Sequence, residues 1–182
     1  HPSVQNKSIV QLSGKNQFLI LDTMNFWMDN NLEDLNEVIS KVNLISINDE
    51  EAYLLAKEKS LDNCAYKIIN KGPQYVIIKK GEMGAELYSK NEKFSLPSFK
   101  VEPIDPTGAG DSFAGGLATY LSKTNNIDFN SLKKGLILGT ILASFTVESL
   151  GTKSIEAVVK KKILERLEMF VIKNKIDLNL SI

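Results

Sequence analysis

The chain has 182 residues, 43 % of them hydrophobic and 24 % charged, a composition that suits one folded domain and argues against intrinsic disorder. Its 22 basic residues balance 22 acidic ones, so net charge supplies no surface for a polyanion such as nucleic acid. One cysteine, Cys64, rules out an internal disulfide framework or a multi-cysteine metal site and fits a reducing, cytoplasmic compartment. One histidine, His1, sits at the chain start and leaves histidine-based catalysis or metal ligation almost nothing to work with. Only one of the 22 basic residues, Arg166, is arginine, and asparagine is abundant, a skew that reads as source composition rather than chemistry. The longest apolar run, Leu136 to Val147, is about 12 residues against the roughly 20 a membrane helix needs, so no membrane partner is expected.

In chain order, Phe18 to Leu21 reads as a buried strand ending in Asp22. Leu32, Leu35, Val38 and Ile39 mark one face of a helix. A second strand covers Val42 to Ile47. It runs into Asn48-Asp49-Glu50-Glu51, with Asn48 as N-cap of a helix reaching about Lys57. Another helix covers about Asp62 to Asn70, and Gly72-Pro73 separates it from a third strand, Tyr75 to Ile78. Two strands flanking Ser89 to Glu92 form an antiparallel hairpin. Helices are then expected over Gly108 to Leu121, over Leu132 to Leu150 (apolar nearly all round) and over Ser154 to about Lys173. Strands alternating with helices imply an α/β fold with a mostly parallel sheet covered on both faces. Ligands of such sheets bind beyond the C-terminal strand ends, where Asp22, Asn48 with Glu51, and Gly81 fall.

The densest chemical signal is Asp105-Pro106-Thr107-Gly108-Ala109-Gly110-Asp111-Ser112-Phe113-Ala114-Gly115-Gly116. Gly108, Ala109 and Gly110 can present consecutive backbone N–H groups at a helix start, where the macrodipole favours an anion such as a phosphoryl group. Asp111, in the first turn, is placed to take a proton from an attacking hydroxyl. The plainer alternative is a glycine turn with Asp111 as a helix-terminal carboxylate and Gly115-Gly116 as a close helix contact. Asn48 and Glu51 likewise read either as Mg²⁺ organisers or as an ordinary acidic helix start. Lys79 reads as a phosphate contact or as a solvated strand-end lysine. No GxxxxGK[ST] motif is present, so a classical P-loop is excluded.

The twelve-residue string resembles the C-terminal signature of the PfkB carbohydrate kinases, and the likeness runs from about Pro2 to Gly151. It implies a three-layer, ribokinase-like α/β sandwich of which residues 1–182 form the C-terminal, nucleotide-binding part. By that likeness Asn48-Asp49-Glu50-Glu51 is similar to the family's NxxE motif, whose Asn and Glu organise the Mg²⁺ of Mg-ATP. Lys80-Gly81-Glu82-Met83-Gly84 resembles the GxxG nucleotide loop, with Lys79 where many members carry threonine. Asn25, in Asp22-Thr23-Met24-Asn25-Phe26-Trp27, occupies a segment near the phosphates, while Trp27 reads as a packing anchor. Asp105 and Thr107 match positions that help bind K⁺ in relatives activated by that ion. The adenine of relatives lies against the region corresponding to Thr140 to Gly151, which equally reads as buried core with Gly135, Gly139 and Ala143 allowing close contact.

The resemblance therefore implies a kinase using ATP and Mg²⁺, with K⁺ as a further cation. It would transfer phosphate to an alcohol group of a sugar or related small molecule. Catalysis would rest on Asp111, Gly108, Ala109 and Gly110; nucleotide binding on Lys79, Gly81, Gly84, Asn25, Thr107 and Gly151; metal binding on Asn48, Glu51 and Asp105. An adenosine-type nucleoside kinase and a non-catalytic nucleotide-binding member of the same fold remain open as alternatives. Only 104 residues precede the signature, whereas the family places it late in chains of about 300. The chain, which starts His1-Pro2-Ser3, is accordingly expected to be the later portion of a longer polypeptide. Its sheet should be part of a larger one with an uncovered edge or face, and a homodimer would form through an N-terminal lid.

Overall fold

The computed structural model describes residues 1–12 and 17–177, and the chain divides into two compact units. The first comprises residues 1–81 and 85–95, the second residues 82–84 and 96–182.

The first unit is built on a five-stranded sheet, β1 (Ile20–Asp22), β2 (Leu44–Asn48), β3 (Tyr75–Lys79), β4 (Ala85–Tyr88) and β5 (Lys93–Leu96), lying side by side in sequence order. β1, β2 and β3 are parallel, and β4 runs antiparallel to β3. The sheet is thus mixed and mostly parallel, as the alternation of strands and helices predicts. β1 is joined to β2 through α2 (Asn25–Asn30) and α3 (Leu32–Ile39), and β2 to β3 through α4 (Asp49–Ala56) and α5 (Leu61–Ile69). Right-handed crossovers between consecutive parallel neighbours place both helix pairs on the same face. The register shows what they cover. Leu21, Ile45, Val76 and Tyr88 stand in one row across β1 to β4. That row belongs to a core completed by Leu35, Val38 and Ile39 of α3, Ala52, Leu55 and Ala56 of α4, and Cys64, Ala65 and Ile68 of α5. Leu44, Ser46, Ile77 and Leu87, at the alternate positions, are fully buried as well. Strands buried on both faces explain the nearly unbroken apolar runs in β2 and β3.

A first helix, α1 (Pro2–Gln11), has no counterpart in the sequence reading. Val4 and Val10 are exposed and only Ile9 packs on the core, so no apolar stripe announces it. His1 caps it, its Nδ1 accepting from the Ser3 N–H at 3.2 Å.

The second unit centres on α6 (Ala109–Ser122) and α7 (Phe129–Thr146). Asp128 closes the start of α7 with a capping box: its carboxylate accepts from the Ser131 N–H at 2.7 Å and its own N–H donates to Ser131 Oγ at 2.8 Å. The two helices meet through glycines. A Cβ on Gly116 would stand 2.8 Å from Gly139 Cα, and one on Gly139 would stand 2.6 Å from the Phe113 carbonyl oxygen. Gly115, its neighbour in sequence, faces open space. The expected single helix over Ser154 to Lys173 is instead two, α8 (Lys153–Glu156) and α9 (Lys160–Lys173), separated at Ala157–Val159. Val159 is extended (φ −98°, ψ 153°) and serves as the N-cap of α9, which a pattern of apolar spacing alone does not reveal.

Because neither backbone can retreat at the glycine contact, Gly139→Ala should destabilise the protein by about 1–3 kcal/mol. Gly115→Ala should cost far less or stabilise. Urea unfolding of the two variants side by side measures the difference.

Candidate active site

In the first unit the candidate residues gather at the C-terminal ends of the parallel strands. Asn48 ends β2 and caps α4. Its Oδ1 accepts from the Glu51 N–H at 2.7 Å while Glu51 Oε2 accepts from the Asn48 N–H at 2.8 Å. The acidic motif is therefore a helix start, as its composition allows, but an unusual one, because Glu51 is only 6 % exposed. Burial pushes its carboxyl above the ordinary range, opposed by the Asn48 N–H and by the charge of Lys79, and reinforced by Asp22 and Glu50. Lys79 stands beside Asn48 in the register and pairs with Asp22 Oδ2 at 3.3 Å, its side chain 19 % exposed. It is thus not a solvated strand-end lysine. Asp22, Glu51 and Lys79, from the ends of three neighbouring elements, make one electrostatic group. A carboxylate buried with one backbone donor and a single nearby cation is under-compensated, and that suits a site completed by a divalent ion. Among the described residues no group of three or more His, Cys, Asp or Glu could hold a metal ion by itself.

Asn25 is the exposed first residue of α2, shortly after Asp22. Trp27 is half-buried against the core and edges against His1 and Phe26, each ring pair 4.9 Å apart. It packs, as its residue type suggests. Past β3, Lys80 pairs with Glu86 at 2.9 Å, and Gly81–Met83 forms a short 3-10 turn. Gly84 follows with φ +93°, and a Cβ there would stand 2.0 Å from the Leu96 carbonyl oxygen, so only glycine fits.

In the second unit Gly108 is the N-cap of α6, with φ 80° and no side-chain cap. A Cβ on it would find room, the nearest atom lying 3.7 Å away, so the left-handed backbone is what calls for glycine. Ala109 corrects the expectation of three free donors. Its N–H is turned into the loop, donating to the Pro106 carbonyl at 3.1 Å. Among the described residues no such bond holds the N–H groups of Gly108, Gly110 or Asp111. Asp111 is exposed in the first turn. Asp105 holds the loop from below: Oδ1 accepts from the Thr107 N–H at 2.9 Å, and Oδ2 meets the Gly151 N–H at 3.5 Å. The Thr107 contacts hold its carboxyl below the usual carboxylate range.

Two links here were not legible in the sequence. Thr146 Oγ1 donates to Ser112 Oγ at 2.6 Å, tying the end of α7 to the first turn of α6. The Val147 carbonyl accepts from the N–H groups of Ile104 at 2.7 Å and Asp105 at 3.2 Å. Of the segment expected near adenine, Thr140, Ile141, Ser144, Phe145 and Thr146 are buried, leaving the turn after α7, with Leu150 and Gly151 exposed.

The structure is thus an α/β fold in which α6 starts from an uncapped glycine with a carboxylate in its first turn. The profile of the pfkB family carbohydrate kinases matches residues 11–158, and the chain belongs to that family. It is 33 % identical to a nucleoside kinase of Methanocaldococcus jannaschii over 137 residues, 75 % of this chain and 42 % of that protein. It is 26 % identical to inositol 3-kinase of Arabidopsis thaliana over 142 residues, 75 % of this chain and 36 % of that protein. In fold it is similar to aminoimidazole riboside kinase from Salmonella enterica, solved with aminoimidazole riboside and an ATP analog. There the TM-score is 0.78 at 22 % identity, covering 88 % of this chain and 56 % of the other. The chain thus spans roughly a third to a half of the length of these relatives.

Glu51→Gln separates the roles of the acidic motif. Glutamine keeps the capping box. A carboxyl whose folded pKa is raised costs stability as pH rises through that pKa, so the variant should be the more stable one at neutral pH without nucleotide. The gap should close below the ordinary carboxylate range. In the full-length protein, activity at limiting Mg²⁺ should fall about 10–100-fold. Thermal unfolding across pH, beside an Mg²⁺ titration of turnover, checks both signs.

Proposed function

We propose that the protein to which this chain belongs is an ATP-dependent phosphotransferase acting on an alcohol group of a sugar or nucleoside, and that these residues form its nucleotide-binding part. The observation that carries this reading is the start of α6: a left-handed glycine cap, Gly108 and Gly110 N–H groups that have no hydrogen-bond partner among the described residues, and Asp111 in the same turn. Backbone donors fixed before the reaction stabilise charge that gathers on a phosphoryl group without reorganising, and Ala109 sets their direction through its bond to Pro106. Asp111 accepts the proton of the attacking hydroxyl. Asn48 and Glu51 would hold the Mg²⁺ of Mg-ATP, which when bound neutralises phosphate charge. Lys79 adds a cation toward the phosphates, its pairing with Asp22 keeping it oriented. Gly81, Gly84, Asn25 and Gly151 line the nucleotide in this reading, and Thr107 with Asp105 takes the K⁺. We assign the protein to the cytoplasm, with a small-molecule acceptor, no nucleic-acid or membrane partner, and a dimer formed through residues outside this chain.

A coupled ADP-release assay on the full-length protein, against ribose, fructose, other sugars, inositol and nucleosides, with and without K⁺, tests the reading. Acceptor-dependent release supports it; nucleotide binding with no release for any acceptor favours a non-catalytic member of the family. Asp111→Asn keeps the size and much of the hydrogen bonding of the side chain but removes its basicity. Turnover should fall by about 10²–10⁴-fold while nucleotide affinity changes far less. Near-normal turnover in that variant would reduce Asp111 to a helix-terminal carboxylate.

A further inference from the structure

Arg166 is the one arginine in a chain whose other 21 basic residues are lysine. It lies on α9, with its side chain 15 % exposed. The guanidinium carbon sits 3.5 Å from the centroid of the Phe145 ring and 4.9 Å from that of Phe99, so the plane is held against two aromatic faces. One terminal nitrogen donates to both carboxylate oxygens of Glu148, at 3.1 and 3.0 Å, and the other donates to Ser144 Oγ at 3.0 Å. A lysine could reach one of these partners, but it cannot stack between rings and serve a carboxylate and a hydroxyl with a rigid fork. The chain otherwise uses lysine throughout, so the chemistry of this position is what calls for arginine.

Glu148 belongs to the turn that follows α7, and that turn is wired into the anion-binding loop. Val147, its neighbour, accepts from the Ile104 and Asp105 N–H groups, and Asp105 in turn orients Thr107 and meets Gly151. Thr146 bonds to Ser112 in the first turn of α6. We propose that Arg166 is a positioning residue for phosphoryl transfer: through Glu148 it clamps the 147–151 turn, and that turn fixes residues 104–107 and the open start of α6. The proposal rests on the phosphotransferase reading for its catalytic consequence, while the clamp itself can be seen without catalysis.

The test uses the full-length protein with Arg166→Lys, Glu148→Gln and the double variant. Amide hydrogen exchange without ligand should quicken by about tenfold or more at the bonded amides of the two segments, Ile104, Asp105 and Thr107 in one and Val147, Glu148 and Gly151 in the other, in each single variant. The buried amides of Ile45 and Ile77, in the other unit, should keep their rates. Steady-state kinetics at a temperature well below unfolding should show kcat down about tenfold or more, because small misplacement of a preorganised group is costly. The double variant should be no worse than the more damaged single one, since both remove the same link. If Arg166→Lys does not fold, Glu148→Gln, which leaves the guanidinium between its rings, decides alone. Unchanged exchange in both segments, or a loss of thermal stability with kcat intact, would overturn the proposal and leave Arg166 a packing residue. Should the wild-type protein release no ADP with any acceptor, the phosphotransferase reading fails, yet the exchange data still decide whether the clamp exists.

Discussion

Every α-helix begins with backbone N–H groups that its own hydrogen-bond ladder cannot satisfy, and how each is satisfied organises this molecule. Asn48 and Glu51 close the start of α4, Ser60 caps α5, and Asp128 with Ser131 closes α7. The start of α6 is left to a glycine. Lack of a side-chain cap is not distinctive by itself, since α2, α3, α8 and α9 lack one too. What sets α6 apart is the left-handed backbone at Gly108, the Ala109 N–H turned back to Pro106, and a carboxylate one turn inside. Around that opening the second unit spends its rigid contacts: the glycine seam to α7, the Thr146–Ser112 bond and the Asp105 bridge.

Closed caps serve the site as well. The Asn48–Glu51 box buries a carboxylate that a purely structural cap would leave in water. The cost of burying it is offset only in part by Lys79 and one N–H. Glu86 offers an instructive contrast. It too is buried, yet Lys80, Lys93 and the Tyr88 hydroxyl surround it, and its carboxyl stays below the ordinary range. One acid is fully compensated by the protein, the other is not, and the second stands at the strand ends where ligands of parallel sheets bind.

Much of this was readable in advance. The strands at 20–22, 44–48 and 75–79 follow from apolar runs bounded by polar residues, and the Asn48 cap from residue types alone. Partnerships between distant segments were not. Asp22 and Lys79 each read as a strand end, but their pairing depends on strand order, which local pattern does not encode. Glu86 and Tyr88 read as an ordinary hairpin, and the ties of Tyr88 and Lys93 to Asp62 cross from strand to helix. Arg166 looked like a compositional remnant until Glu148 and two phenylalanine rings were placed around it. α1 escaped because it has no apolar stripe to support the one start signal it carries, Pro2 at its first position, and the break before α9 because no proline or glycine marks it.

The placement of Trp27 carries a consequence for optical work on the protein. It is the only tryptophan among these residues, it belongs to the first unit, and it rests on that unit's core beside His1 and Phe26. Its emission within this chain therefore reports on the core of that unit. A fluorescence melt that looks like a single clean transition would not by itself show whether the second unit unfolds with the first. Coincidence with a probe that sums the helices of both units, such as far-ultraviolet circular dichroism, is what would show them unfolding as one.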